Sequence, residues 1–406
     1  MQILFLHDNF PAQFGFIGTY LAGKGWDVWF GTQRKGAGHD TIKVFNYKPH
    51  RAVTKDIHPY AANFERACLT GQGVARAAID LAKKGLKPDV VVAHSGWGPG
   101  VYVKDIWPQC RYVGYFEWFY RRNAPDTVFM GEKDQNIDQQ LRTRSRNAAI
   151  MMDLAACDVG ICPTEFQKDQ FPDCFKSKLH VMHDGIDTHT YKPARGARLK
   201  LSSLDLSSVN ELVTYVARGM EPYRGFPEFM RSLATLQKMR PNMHAVIVGE
   251  DRVAYGKPLP KGETYKQKML AELSLDMDRV HFTGLLPRTD YLAVLQASSL
   301  HTYLTVPFVL SWSMMESMSA GCAILASDTP PVREMLVDGV HGATVDMKDC
   351  DAVAEKMAHL LADEALRHSY GDAARRAMET HYAQRDAFPA KQALFEAVAR
   401  GDIAAA

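Results

Sequence analysis

Short apolar runs alternate with stretches of helical periodicity along this chain, and the alternation occurs in two successive series. Residues 3–6 read as a buried strand, 16–24 as a helix and 27–30 as a second strand. Residues 74–84 carry Ala75, Ala78, Ile79 and Ala82 at helical spacing, and the valine-rich segment 89–93 follows as a strand. Segments 112–115 and 159–162 extend this first series. After Tyr191-Lys192-Pro193 comes a polar, serine-bearing stretch, 195–210, which reads as the region of the domain linker. A second series then opens at 212–216 and continues through 245–248, 280–282, 300–303, 323–326 and 342–345, with amphipathic, alanine-rich helices from Asp351 onward. Strands that are apolar throughout and separated by helices predict a parallel sheet covered on both faces. A chain of 406 residues is too long for one ordinary core. The expectation is therefore two doubly wound, Rossmann-like α/β domains facing across a cleft, at 1–192 and 193–385, followed by a C-terminal helix at 386–406.

Charge narrows the function. Lys and Arg number 48 against 46 Asp and Glu, a net charge of +2, which is too mild for a nucleic-acid binder. The 7 cysteines are odd in number and form no CxxC pair, so structural zinc and a secreted disulfide framework are not expected and a reducing compartment is. The apolar start at 2–6 is too short for a signal peptide, and no apolar stretch approaches the ~20 residues of a membrane helix. The expected location is the cytoplasm. Arg121, Arg122, Arg142, Arg144 and Arg146 suit either a peripheral contact with anionic lipid at the inner membrane face or a solvated helix surface.

In open parallel sheets the ligand sits at the carboxyl ends of the strands, and the candidate residues cluster there. In 308–328, FVLSWSMMESMSAGCAILASD, a helix is expected from Ser311 to Ser319, ended by Gly321. Its start would offer the N–H groups of Val309, Leu310, Ser311, Trp312 and Ser313 to a diphosphate. Glu316, about one turn inside, is placed to accept from ribose hydroxyls or to be a solvated helix glutamate. In 213–225, VTYVARGMEPYRG, Arg218 and Arg224 follow a strand among glycines, where guanidinium groups would bind a diphosphate and stabilise the charge that grows on a departing phosphate, or would equally be an ordinary surface pair. His94 follows the 89–93 strand, and Glu117 and Trp118 follow the 112–115 strand. A carboxylate among aromatic rings suits a sugar acceptor and equally suits core packing. Asp349-Cys350-Asp351 imitates a DxD metal motif but reads as a helix start with an aspartate N-cap, so no metal is assigned.

Taken in order, these segments resemble glycosyltransferase family 4, a retaining family with the GT-B fold. His7-Asp8-Asn9-Phe10-Pro11 with Gly15 is similar to the family's first strand and glycine loop. Residues 88–94, ending in His94, are similar to its strand with an active-site histidine. His183-Asp184-Gly185-Ile186-Asp187 with Tyr191-Lys192-Pro193 is similar to the signal that closes its first domain. Arg218 and Arg224 match the basic pair on the donor diphosphate, 280–284 and Leu285 the segment that holds the nucleobase through Gly284, and 316–321 the segment containing the ribose-binding glutamate. Ser327-Asp328 and Val337-Asp338-Gly339 with Gly342 complete the series.

The sequence departs from the family at named places. The first of the family's two glutamates falls at Phe308, its glycine-rich turn at Val309-Leu310-Ser311-Trp312, its paired glycine at Gly15-Phe16, and its asparagine at Asp184. The resemblance implies a metal-independent hexosyltransferase that moves sugar from a UDP- or GDP-sugar to a glycan or lipid-linked acceptor, in cell-surface polysaccharide or glycolipid synthesis. It implies no cofactor beyond the nucleotide sugar, and a last helix that packs back on the first domain. A nucleotide-sugar epimerase or hydrolase of the same fold, or a non-catalytic nucleotide-sugar-binding subunit, stays open as an alternative.

Overall fold

The computed structural model describes residues 1–131, 136–260 and 262–403. The chain forms two compact units, Met1–Asp184 together with Arg385–Ala406, and Gly185–Gln384.

The first unit is built on a sheet of β1 (Gln2–Leu6), β2 (Asp27–Thr32), β3 (Lys43–Asn46), β4 (Val90–His94), β5 (Arg111–Tyr115), β6 (Val159–Cys162) and β7 (Leu179–Val181). Its order is β3-β2-β1-β4-β5-β6-β7, with every pairing parallel. Both faces are covered, which explains the unbroken apolar runs. Ile3 and Phe5 join one buried cluster, and Leu4 and Leu6 join another across the sheet. The C-terminal helix Gln384–Arg400 contributes Phe388, Leu394, Phe395 and Val398 to the Ile3 cluster, with the rings of Phe395 and Phe5 6.3 Å apart.

In the second unit β8 (Lys200–Leu201) and β9 (Leu204–Asp205) form a two-stranded hairpin. The main sheet has β10 (Glu211–Gly219), β11 (Met243–Glu250), β12 (Val280–Gly284), β13 (Leu300–Tyr303), β14 (Ile324–Ser327) and β15 (Ala343–Val345). Its order is β12-β11-β10-β13-β14-β15, again all parallel. Segment 195–210, expected as linker, instead belongs to this unit. Leu199, Leu201 and Leu206 pack with Leu212, Val246 and Val248, so the leucines between the polar residues carry the fold there.

The strand order reverses direction between β1 and β4 in one sheet and between β10 and β13 in the other. These are the switch points at which two connections diverge and leave a crevice beyond the strand ends.

Candidate active site

The second unit gathers its polar groups beyond β10 and β13. Near the end of β10 stands Arg218, whose side chain is exposed and forms no hydrogen bond or ion pair among the described residues. A short 3-10 turn, Pro222–Arg224, follows, and Gly225 turns the chain in the left-handed region at φ +61°. A Cβ on Gly225 would lie 2.4 Å from Leu304 Cβ, so the turn is pressed against the end of β13. Two hydrogen bonds fix that contact: Val306 N–H donates to Tyr223 O at 3.2 Å, and Thr305 Oγ1 donates to the same carbonyl at 3.4 Å.

Arg224 points into this junction. It is 4% exposed, donates from Nη1 to Thr305 Oγ1 at 2.8 Å, and lies 5.0 Å from the centre of the Tyr255 ring. Among the described residues no carboxylate pairs with it. The nearby acid, Glu221, is itself fully buried, but its carboxylate accepts the N–H groups of Ala254, Tyr255 and Gly256 at 3.1, 2.9 and 2.7 Å. Arg224 is thus a buried cation bonded to no carboxylate: burial would lower its pKa, but Tyr303, Tyr255 and the nearby Glu221 raise it, so the site is built to keep the charge. An anion that reached the guanidinium would add the direct ion pair it lacks.

The loop after β13 supplies the matching donors. Ser311 caps the helix Trp312–Ser319, its Oγ accepting from Ser313 N–H at 3.3 Å. Ser311 N–H donates to Tyr303 Oη at 2.8 Å. The backbone N–H groups of Val309, Leu310 and Trp312 have no acceptor among the described residues. Of the N–H groups expected to face a diphosphate, those of Ser311 and Ser313 are therefore already engaged, and the other three are unpaired. Phe308, in place of the family's first glutamate, packs its ring 5.5 Å from both Tyr223 and Tyr255.

Glu316 sits on the same helix, half-buried. Its Oε2 accepts from Tyr291 Oη at 2.7 Å, and Tyr191 also donates to it. Burial pushes its carboxyl up, against the two tyrosines and Arg288, which hold it down. Tyr291 belongs to the helix Arg288–Ala297, which begins just after Gly284 and Leu285. Gly284 ends β12 in the left-handed region at φ +68°, and Leu285 is 65% exposed. The tyrosine thus ties Glu316 to the helix that starts beyond β12.

The first unit gathers a second cluster beyond β1, β4 and β5. His94 ends β4 and is 3% exposed. Its Nδ1 lies 2.9 Å from Ser95 O, which can only accept, so Nδ1 carries a proton. Its Nε2 lies 3.3 Å from Glu117 Oε2. The carboxylate at this distance attracts a proton to the ring, although the Nε2–Oε2 geometry is that of an ion pair and not of a formed hydrogen bond. Burial alone would lower its pKa, but Glu117, Ser95 O and Asp8 together raise it. Gln13 Nε2 donates to Glu117 Oε1 at 2.9 Å, and Gln167 Nε2 donates to Glu117 O at 2.9 Å. Beneath this layer Asp153 is fully buried and accepts from Ser95 Oγ at 2.7 Å and Tyr112 Oη at 2.8 Å, and burial raises its pKa to about 6.

Two of the expected residues are engaged in packing instead. Trp118 is buried, with its ring 6.0 Å from Phe166, so it packs rather than facing an acceptor. Gly15 lies in the first turn of the helix Phe14–Gly23, and its N–H donates to Pro11 O at 2.9 Å, so it is not free for a diphosphate. A Cβ there would meet Pro11 Cβ at 2.4 Å, a packing reason for glycine. Asp184, the departure from asparagine, is matched by a partner 207 residues away: Lys391 Nζ donates to its Oδ1 at 2.7 Å, and Tyr115 Oη to its Oδ2 at 2.7 Å. Asp349 caps the helix Cys350–Ala362 by accepting from Ala352 N–H at 3.0 Å. Among the described residues no group of three or more His, Cys, Asp or Glu is placed to hold a metal ion. No helix among them is long and apolar enough to cross a membrane.

Sequence reasoning missed Gln13, Trp97, Asp153, Tyr255, Tyr291 and Lys391. Trp97 stands between two glycines, a signal that could have found it. The others carry no local pattern and are found only through their partners.

Comparison with known proteins fits this geometry. Residues 24–191 match the family model described as glycosyl transferase family 4 group, and residues 203–377 match the one described as glycosyl transferases group 1. A D-inositol 3-phosphate glycosyltransferase of Corynebacterium glutamicum is 23% identical over 204 residues, 49% of this chain and 47% of the relative. The match thus spans about half of that relative's length. Among solved structures, a sucrose-phosphate synthase from Thermosynechococcus elongatus has a TM-score of 0.74 at 16% identity, covering 99% of this chain and 100% of that one. HepE of Anabaena, in complex with UDP-glucose, has a TM-score of 0.71 at 16% identity, covering 98% and 100%. With a glycosyl transferase model on each of its two parallel-sheet units, the chain is a glycosyltransferase with the GT-B fold.

Proposed function

We propose that the protein is a retaining, metal-independent hexosyltransferase. On this reading the second unit binds a nucleotide sugar and the first supplies the acceptor side. The observation that carries it is Arg224, a buried guanidinium bonded to no carboxylate, with three backbone N–H groups that have no acceptor in the loop after the neighbouring strand β13. That combination is the complement of a diphosphate. Arg218, exposed and unpaired, takes the outer phosphate oxygens. Gly284 and Leu285 hold the base, and Glu316, kept in place by Tyr291, accepts from the ribose.

In the reaction the bond from the anomeric carbon to the β-phosphate oxygen breaks, and a bond to the acceptor oxygen forms on the same face of the sugar. The acceptor proton passes to the departing phosphate. Negative charge grows on that phosphate, and fixed guanidinium groups and amides favour the transition state over the ground state. The guanidinium groups thereby fill the role a metal has elsewhere. His94, set between Ser95 O and Glu117 with a raised pKa, is the residue we assign to contact with the sugar or the acceptor hydroxyl. HepE was crystallised with UDP-glucose, which supports UDP as the first nucleotide to test. Ile137 and Leu141, exposed on the helix Ile137–Ser145 beside Arg142 and Arg144, support peripheral contact with an anionic membrane face and an acceptor used there.

A panel of UDP- and GDP-sugars screened by thermal shift, followed by nucleotide release with glycan and lipid-linked acceptors, tests this. Arg218→Ala and Arg224→Ala should each lower turnover on the order of ~10²-fold. Unchanged turnover in both overturns it. Phe308, set in an aromatic cluster, favours one second reading, a non-catalytic nucleotide-sugar-binding subunit. Nucleotide binding without product from any acceptor would establish that reading.

A further inference from the structure

Trp97 is 43% exposed, yet it is held firmly. Its ring stacks on His94, with centroids 4.3 Å apart and planes 10° apart, and His7 meets it edge-on at 5.1 Å. Gly96 and Gly98 on either side are left-handed, at φ +94° and +102°. A Cβ on Gly98 would lie 2.2 Å from Ala67 O, so the loop is pressed against the helix Ala62–Ala82. Ser95 Oγ and the Gly96 N–H both donate to the buried Asp153. The indole is therefore preorganised, with one face covered by the imidazole. Its own N–H has no acceptor among the described residues. Glu117 pairs with His94 and accepts from Gln13 at the end of the same sheet.

An exposed indole, stacked on the imidazole on one face and carrying an N–H donor without an acceptor among the described residues, is the complement of a pyranose ring. The sugar's C–H face lies on the indole, and its hydroxyls meet the polar groups. An anionic ligand would find no unpaired cation there, since His94 is paired with Glu117. An alkyl chain would bury the indole N–H without a partner. We propose that Trp97 is the stacking platform of the acceptor side and that the group it takes is a carbohydrate ring. This rests on the glycosyltransferase reading given above and names its acceptor class.

The test uses the full chain labelled with 5-fluorotryptophan. Fluorine NMR resolves the 6 tryptophans, and the Trp97 signal is assigned by its loss in Trp97→Phe. The probes are the methyl glycosides of glucose, mannose, galactose and N-acetylglucosamine, with UDP and GDP titrated separately by thermal shift. At least one glycoside should shift the Trp97 signal saturably. Measured by calorimetric titration, which does not need the Trp97 signal, Trp97→Ala should bind that glycoside about tenfold more weakly, while Trp97→Phe, which keeps a ring, retains most of the affinity. Both variants should keep the nucleotide-induced shift, which also shows that they fold. If a nucleotide stabilises the protein and no glycoside moves the Trp97 signal, the platform is refuted and the donor reading stands. If a glycoside moves it and no nucleotide binds, the platform stands and the donor reading falls.

Discussion

Replacing Arg224 with methionine separates a structural arginine from one retained for an anion. The substitution preserves much of the side chain's length and removes its charge. In the folded protein it deletes one charge-assisted hydrogen bond to Thr305 Oγ1 and the stacking over Tyr255. Those contacts are worth about 1.5–3 and up to about 2 kcal/mol. Against them stands the desolvation of a cation that is 4% exposed, which Tyr303, Tyr255 and the nearby Glu221 more than offset, since the guanidinium's pKa is raised despite burial. Arg224→Met should therefore be modestly destabilising, by about 1–3 kcal/mol. Binding should respond differently. Removing a buried charge partner of a diphosphate costs about 3 kcal/mol or more, on the order of 10²-fold in Kd. Thermal unfolding with and without nucleoside diphosphate reads both quantities. At ~100 times Kd the parent gains about 2.7 kcal/mol, and the variant should gain little at the same concentration. A variant destabilised by more than about 3 kcal/mol that still binds the nucleotide would show that Arg224 serves the fold and not the donor.

The buried pair Asp184–Lys391 predicts strong coupling: Lys391→Met should cost about 3–5 kcal/mol in urea unfolding, and Asp184→Asn combined with Lys391→Met should cost clearly less than the sum of the two single changes. Because Lys391, His183 and Tyr115 hold the Asp184 carboxyl below its usual range despite burial, its contribution is present above about pH 4 and fades as pH falls through the depressed value. For His94, NMR titration should give a pKa above about 6.5, and Glu117→Gln should bring it below, since burial then acts with less opposition. The contribution of His94 to stability is accordingly complete below about pH 6.5 and lost as pH rises through the raised value, and Glu117→Gln should abolish that loss. Gly98→Ala should destabilise by more than about 2 kcal/mol, through the Ala67 clash and a positive φ. Gly85→Ala, left-handed but in open space, should cost about 1 kcal/mol.

Most of the fold was legible in the sequence because parallel strands buried on both faces leave unbroken apolar runs. Val159–Cys162 and Leu300–Tyr303 fall at the expected residues. β3 and β7 were not read. Lys43–Asn46 lies at the sheet edge with polar residues at both ends, and Leu179–Val181 is too short to show a period. The hairpin at 200–205 was hidden because its leucines alternate with serine, lysine and aspartate. At the site, the strand-end rule drew attention to Arg218, Arg224, His94 and Glu117. It could not tell that Trp118 turns inward while Trp97 is exposed, since both are tryptophans near strand ends. Nor could it supply partners distant in sequence, such as Lys391 for Asp184 or Tyr291 for Glu316, whose pairing is decided by packing.

Binding of a pyrophosphate at the ends of β10 and β13 is tested most directly by calorimetric titration of the full chain with a nucleoside, its monophosphate and its diphosphate, in the uridine and guanosine series. In one series the second phosphate should bring the largest gain in affinity. This gain should fall with added salt, and Arg218→Ala and Arg224→Met should each remove most of it. A diphosphate bound no more tightly than the monophosphate in both series, or a gain that survives both substitutions, would contradict the assignment of that site.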